Sequence, residues 1–162
     1  MSFKQIITGL TLSLLLSSAA AVAADFGKGL EAYHSGDFNT ALTELMPLAK
    51  QGDAMAQIYI GLMYEHGEGV LENDKTAVKW YTLAAEQGSA DAQHFLGNMY
   101  DNGRGVLTDT KRAYMWYNLA SYNGNEIAGK NKDKRAKQMT PADISKAQDM
   151  SSRCLESNYT DC

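Results

Sequence analysis

The sequence has little of what interrupts or cross-links a chain: 2 prolines and 2 cysteines among 162 residues. With so few prolines and no low-complexity tract there is no evident linker, which excludes a string of separate domains; the length suits one domain with a real core. Long apolar runs are missing as well. The run Ile6 to Leu16 has 11 residues, whereas a hydrocarbon layer of about 30 Å takes about 20 residues at helical rise, so no stable membrane anchor is expected. Positive charge is not in excess either: 15 Lys and Arg face 19 Asp and Glu, a formal net charge of −4. Nucleic acid needs a basic face, so a polyanion is not the expected ligand. The one basic cluster, Lys130, Lys132, Lys134, Arg135 and Lys137, is interrupted by Asp133 and carries no interleaved aromatic residue. It reads as a solvated helix face.

Motifs for chemistry are also absent. No Gly-x-Ser-x-Gly elbow occurs, and no local motif pairs a cysteine with a histidine. His34, His66 and His94 share no spacing that would put two metal ligands on one helix face. The sequence therefore predicts no catalytic residues, no metal, no cofactor and no enzyme activity. The cysteines, Cys154 and Cys162, stand eight apart near the C-terminus rather than as Cys-x-x-Cys, which points to a structural disulfide instead of a redox site. The chain-entropy model assigns so short a loop roughly 2 to 3 kcal/mol.

What is present begins with an address. Lys4, the apolar run Ile6 to Leu16 and the small residues Ser17-Ser18-Ala19-Ala20-Ala21 follow the order of a secretory signal peptide. Both Ala21-Val22-Ala23 and Val22-Ala23-Ala24 satisfy the cleavage rule, so cleavage after Ala23 or Ala24 stays open. No cysteine stands at the junction to accept a lipid. The expected product is periplasmic, or secreted, and monomeric.

A repeat of 36 residues then organises the chain. Trp80 recurs as Trp116, Gly67-Glu68-Gly69-Val70-Leu71 as Gly103-Arg104-Gly105-Val106-Leu107, and Gly52 as Gly88 and Gly124. Ala56-Gln57, Gly61, Met63-Tyr64, Ala77, Tyr81 and Leu83-Ala84 recur at the same offset. A fixed period of this size marks stacked supersecondary units. Within a unit, Ala56, Ile60, Met63 and Tyr64 follow helical spacing, as do Ala77, Trp80, Tyr81 and Ala84, with a Gly-rich loop between them. Each unit is predicted to be a helical hairpin. Ala77, Ala84 and Gly61 would let the helices approach, with Trp80 and Tyr64 filling the remaining volume. Asn73 and Asp109 are placed to cap the second helices. The Gly-x-Gly loop follows no strand-like alternation, so a phosphate-binding reading fails.

The pattern Ala56-Gln57-x-x-Ile60-Gly61-x-Met63-Tyr64-x-x-Gly67-x-Gly69-Val70, then Lys75-x-Ala77-x-x-Trp80-Tyr81-x-x-Ala84-Ala85-x-x-Gly88, with a second copy from Ala92-Gln93 to Gly124, resembles the Sel-one-like repeat (SLR) family. The resemblance implies an all-α, right-handed superhelical solenoid of stacked helical hairpins, like tetratricopeptide arrays. On this reading 25–52 is a degenerate first repeat, 53–88 and 89–124 are full repeats, and 125–162 holds capping helices and a tail. Glu44 replaces the Trp in the first unit, and Pro47 is expected to kink its second helix or mark an irregular turn. Thr140-Pro141-Ala142-Asp143 restarts a helix.

Positions that differ between the two repeats are free of the demands of the fold. On the first helices these include Met55, Ile58 and Leu62 in one copy and Asp91, His94 and Asn98 in the other, each set on one helix face. First helices line the concave side of such stacks, which predicts a groove with an apolar half, Met55-Ile58-Leu62, beside a polar half, Asp91-His94-Asn98. The alternative is that the apolar trio packs against the first repeat. The resemblance implies an adaptor or regulator binding another protein or peptide in that groove, as SLR proteins of bacterial envelopes are associated with complex assembly, signalling and host contact. The runner-up is a small cell-wall (peptidoglycan) binding or hydrolysing module. Relatives linked to that activity carry cysteines in every repeat, and here the repeats contain none.

Overall fold

Eight short polar side chains start eight helices. Asp25, Asp37, Asp53, Asn73, Ser89, Asp109, Asn125 and Thr140 each accept a hydrogen bond from a first-turn amide, satisfying donors that have no partner inside the helix. The helices are α1 (Phe26–Ser35), α2 (Phe38–Lys50), α3 (Ala54–His66), α4 (Asp74–Ala85), α5 (Ala90–Asn102), α6 (Thr110–Tyr122), α7 (Glu126–Ala136) and α8 (Pro141–Glu156). The structure, a computed structural model, describes residues 24–162. The segment 1–24 read as a signal peptide thus lies, apart from Ala24, outside the described residues. Among the described residues there is no strand, and no helix is long and apolar enough to cross a membrane.

Consecutive helices α1 to α7 pack pairwise in an antiparallel stack, which makes the chain an all-α helical repeat solenoid. Left-handed glycines end the first helices: Gly67 and Gly103 have φ of 69° and 68°, a conformation that costs a side-chain-bearing residue about 1 kcal/mol or more. The hairpins close tightly because Gly61 and Gly97 leave room for aromatic rings. A Cβ at either position would overlap the ring of Tyr81 or Tyr117. Those two tyrosines, rather than Trp80 and Tyr64, are the fully buried fillers, and Trp80 and Tyr64 are half-exposed.

The recurring glutamines tie one hairpin to the next. Gln57 Nε2 donates to the Ala49 carbonyl at 3.1 Å and Gln93 Nε2 to the Ala85 carbonyl at 3.2 Å, at the end of the preceding second helix. Their own oxygens accept from Gln87 at 2.8 Å and Asn123 at 2.9 Å. Both are buried with their polar groups paired, as interior amides must be.

Pro47 does not interrupt α2, which runs through it to Lys50. Pro47 and Thr43, whose carbonyl loses its intrahelical donor, are both exposed, so water can take the vacant acceptor. Glu44 is buried and accepts from the Asp25 amide at 3.0 Å and from Lys28 Nζ. The Lys28 hydrogen bond, with the Asp25 amide, holds its carboxyl below the usual range.

α8 does not extend the stack beyond α7. It turns back and runs parallel to α6, with Asp143 near Lys111, Ser151 Oγ 3.5 Å from the Met115 carbonyl and Tyr159 bonded to Asn123. Cys154, Met150, Leu155 and Tyr159 join the apolar cluster built from α4, α5 and α6, and Tyr159 also reaches Gly88 at the end of α4. α8 therefore covers the side of the array, on the α4 flank of α6. Cys154 and Cys162 are paired as a disulfide, with Cα atoms 4.7 Å apart.

Candidate partner-binding face

The odd-numbered helices form one face of the stack. On α3 the residues that turn outward are Met55, Tyr59, Leu62 and His66; on α5 they are Asp91, Phe95, Asn98 and Asn102. Each set is spaced four, three, four, the spacing of one helical face. Ile127 of α7 continues the row of Met55 and Asp91 and is 60% exposed.

The structure places the six residues singled out from sequence in three different settings. Met55 is exposed and Leu62 half-buried on this face. Ile58 is only 4% exposed and belongs to the core cluster shared with α4 and α5, so it leaves the groove. The cause is a rotation of one residue: the outward row passes through Tyr59, and Ile58 turns into the seam between α3 and α5. It packs against the following repeat rather than the first one.

The polar residues hold the next helices in place. His94 is half-buried between α5 and α7, with Nε2 3.1 Å from Asn131 Nδ2 and 3.4 Å from Asn98 Nδ2. Burial lowers its pKa, and Asp91 nearby opposes that shift. Asp91, exposed, accepts from Asn125 Nδ2 at 2.9 Å, and Asn98 accepts from the Tyr117 hydroxyl at 2.8 Å. Their outer edges remain available for contact, but their main hydrogen bonds are internal.

Tyr59 and Phe95 are the residues that sequence reading missed. Tyr59 meets Tyr33 edge to face at 5.0 Å, and Phe95 stacks on Tyr81 at 5.0 Å. The available signal was an aromatic residue recurring at the 36-residue offset, four positions after Met55 and after Asp91.

Ionic contacts fix the C-terminal ends of these helices. Arg104 donates to Glu65 at 2.6 Å and to both oxygens of Asp74 at 2.7 and 3.1 Å, while the Tyr81 hydroxyl donates to Glu65 at 2.6 Å. The Asp74 hydrogen bond raises the Arg104 pKa further, and burial pushes the Tyr81 phenol well above its ordinary value. One repeat later Arg135 donates to Asp101. These carboxylates neutralise guanidinium groups. Among the described residues no three His, Cys, Asp or Glu side chains converge on a possible metal position. What the face offers is a ridge of half-exposed apolar and amide side chains on a braced scaffold.

A stack of capped hairpins with this 36-residue repeat is a helical repeat protein of the SLR type. Residues 54–89 and 90–125 each match the Sel1 repeat model, and the chain is a Sel1-repeat protein. It is similar to a protective antigen of uropathogenic Escherichia coli strains that displays an SLR fold, at 27% identity and a TM-score of 0.76, over 81% of this chain and 30% of that one. It is also similar to a Sel1 repeat protein of Oxalobacter formigenes, at 35% identity and a TM-score of 0.64, over 67% of this chain and 44% of that one. The chain thus spans less than half the length of either. No curated protein matches it. Repeats of this kind are generally protein-interaction modules, and the fold is typically a non-enzymatic scaffold.

Proposed function

We propose that this protein is an exported, periplasmic adaptor or regulator that holds an extended segment of a partner protein along the odd-helix face. The observation that supports this reading is the ridge Met55, Tyr59, Leu62, Phe95 and Ile127: Met55 and Ile127 are exposed and Tyr59, Leu62 and Phe95 half-buried, on a surface whose polar neighbours are already engaged internally. Large apolar and aromatic groups in such a setting are the usual anchors of a protein interface. Export rests on Lys4, the apolar run and the Ala-x-Ala sites of the first 24 residues.

The test is fractionation of tagged full-length chain from its bacterial host, with recovery of bound polypeptides. The expected result is a periplasmic product lacking residues 1–23 or 1–24, with a co-purifying polypeptide that Leu62→Asp loses. An uncleaved cytoplasmic product would overturn the export reading. Retention of the polypeptide by a folded Leu62→Asp variant would overturn the assigned face. Release of soluble fragments from isolated cell-wall sacculi would replace the adaptor reading with a hydrolase.

A further inference from the structure

Repeat symmetry supplies an internal comparison on the opposite face, beyond the partner surface proposed above. At the 36-residue offset Lys75 of α4 corresponds to Lys111 of α6, Lys79 to Met115, Trp80 to Trp116 and Leu83 to Leu119. On α6 this row is covered. Met115 and Leu119 have no exposed surface, and Trp116 retains 4%. The cover is α8, which presents Ala147, Met150, Ser151, Cys154 and Leu155 at i, i+3, i+4, i+7 and i+8. Its first turn carries Asp143, 3.6 Å from Lys111 Nζ. Small residues at Ala147, Ser151 and Cys154, all fully buried, let the two helices approach closely.

On α4 the same row is bare. Leu83 is 45% exposed and Trp80 half-exposed, and with Met46, Lys50, Tyr64 and Lys79 they line an open groove of about 450 Å³ between α2 and α4. Lys50, Lys75 and Lys79 are exposed, and among the described residues none of them forms an ion pair. This groove has the apolar floor that α8 occupies one repeat later, with a more basic rim.

We propose that the α2/α4 groove is a second docking site and takes an acidic amphipathic helix of a partner protein, seated parallel to α4 as α8 is seated on α6. The occupant carries apolar residues at i, i+3, i+4 and i+7 with a small residue facing α4. Its flanking carboxylates meet Lys75 and Lys79, as Asp143 meets Lys111. Helices in apolar grooves are read by this spacing, and rim charges select among them.

The test uses two synthetic α8-length helical peptides with the same apolar stripe, serine replacing the cysteine, one with Glu and one with Lys at the flanking positions. Each is titrated into the mature chain while the indole resonances of Trp80 and Trp116 are followed. The Glu peptide is expected to shift Trp80 and leave Trp116 unmoved, and to bind at least about tenfold more tightly than the Lys peptide. The double variant Lys75→Glu and Lys79→Glu reverses that order, and Leu83→Asp weakens both peptides by a similar factor. Equal affinities, absence of binding, or shifts confined to Trp116 would overturn the proposal. So would self-association of the chain that Leu83→Asp abolishes, because the occupant would then be a second copy.

Discussion

Gln93 and His94 are neighbours in sequence that do different work. Gln93 is buried and spans three helices, donating to the Ala85 carbonyl and accepting from Asn123. Gln93→Leu removes both bonds, while the Ala85 carbonyl keeps the Gly88 amide and the Asn123 amide keeps the Tyr159 hydroxyl, so unfolding in urea should show the loss of two ordinary hydrogen bonds, about 1 to 3 kcal/mol. Burial lowers the His94 pKa, with Asp91 opposing the shift. A folded pKa below the unfolded value means that the unfolded chain binds the proton more readily. Stability is therefore full above about pH 6.5 and falls as the pH drops through that value toward the lowered one. The melting temperature should decline between pH 7.5 and 5.5, with a smaller decline in His94→Gln; an equal decline in both would remove this assignment. That Gln93 recurs was legible in the sequence. What it bonds was not, because its partners lie 8 and 30 residues away and depend on how hairpins stack.

At the scale of elements, the two repeat tryptophans separate packing from exposure. Trp116 lies under α8, and Trp80 at the open groove. Trp116→Ala should cost roughly 3 to 5 kcal/mol as a core truncation, and Trp80→Ala about half of that or less, since part of its surface is already in water. Equal losses in thermal or chemical denaturation would show that α8 does not cover α6 as described. Helix starts were readable because capping chemistry is local: Asn73, Asp109 and Thr140 sit where the sequence put them. The docking of α8 was not, since an apolar stripe declares that a helix has a buried face without saying against what. The same limit explains Ile58. A difference between repeats marks a position as variable, and a variable position can still be an internal seam where one helix of the stack meets the next.

For the whole molecule, the repeat period alone carried the architecture, because stacked units bury a continuous core through nearest-neighbour contacts. Both proposals place function on surface that stacking leaves uncovered: the aromatic and aliphatic ridge of the odd helices, and the basic-rimmed groove between α2 and α4. The central claim is that the odd-helix face holds the partner. It is tested most directly by placing a photo-crosslinking residue in the full chain, expressed in its host, at positions 55, 62 and 98, and for comparison at exposed positions 43 and 152 on α2 and α8. The account predicts one shared crosslinked polypeptide from the first three positions and none of it from 43 and 152. Capture of that polypeptide from 43 or 152, with no product from 55, 62 or 98, would contradict it.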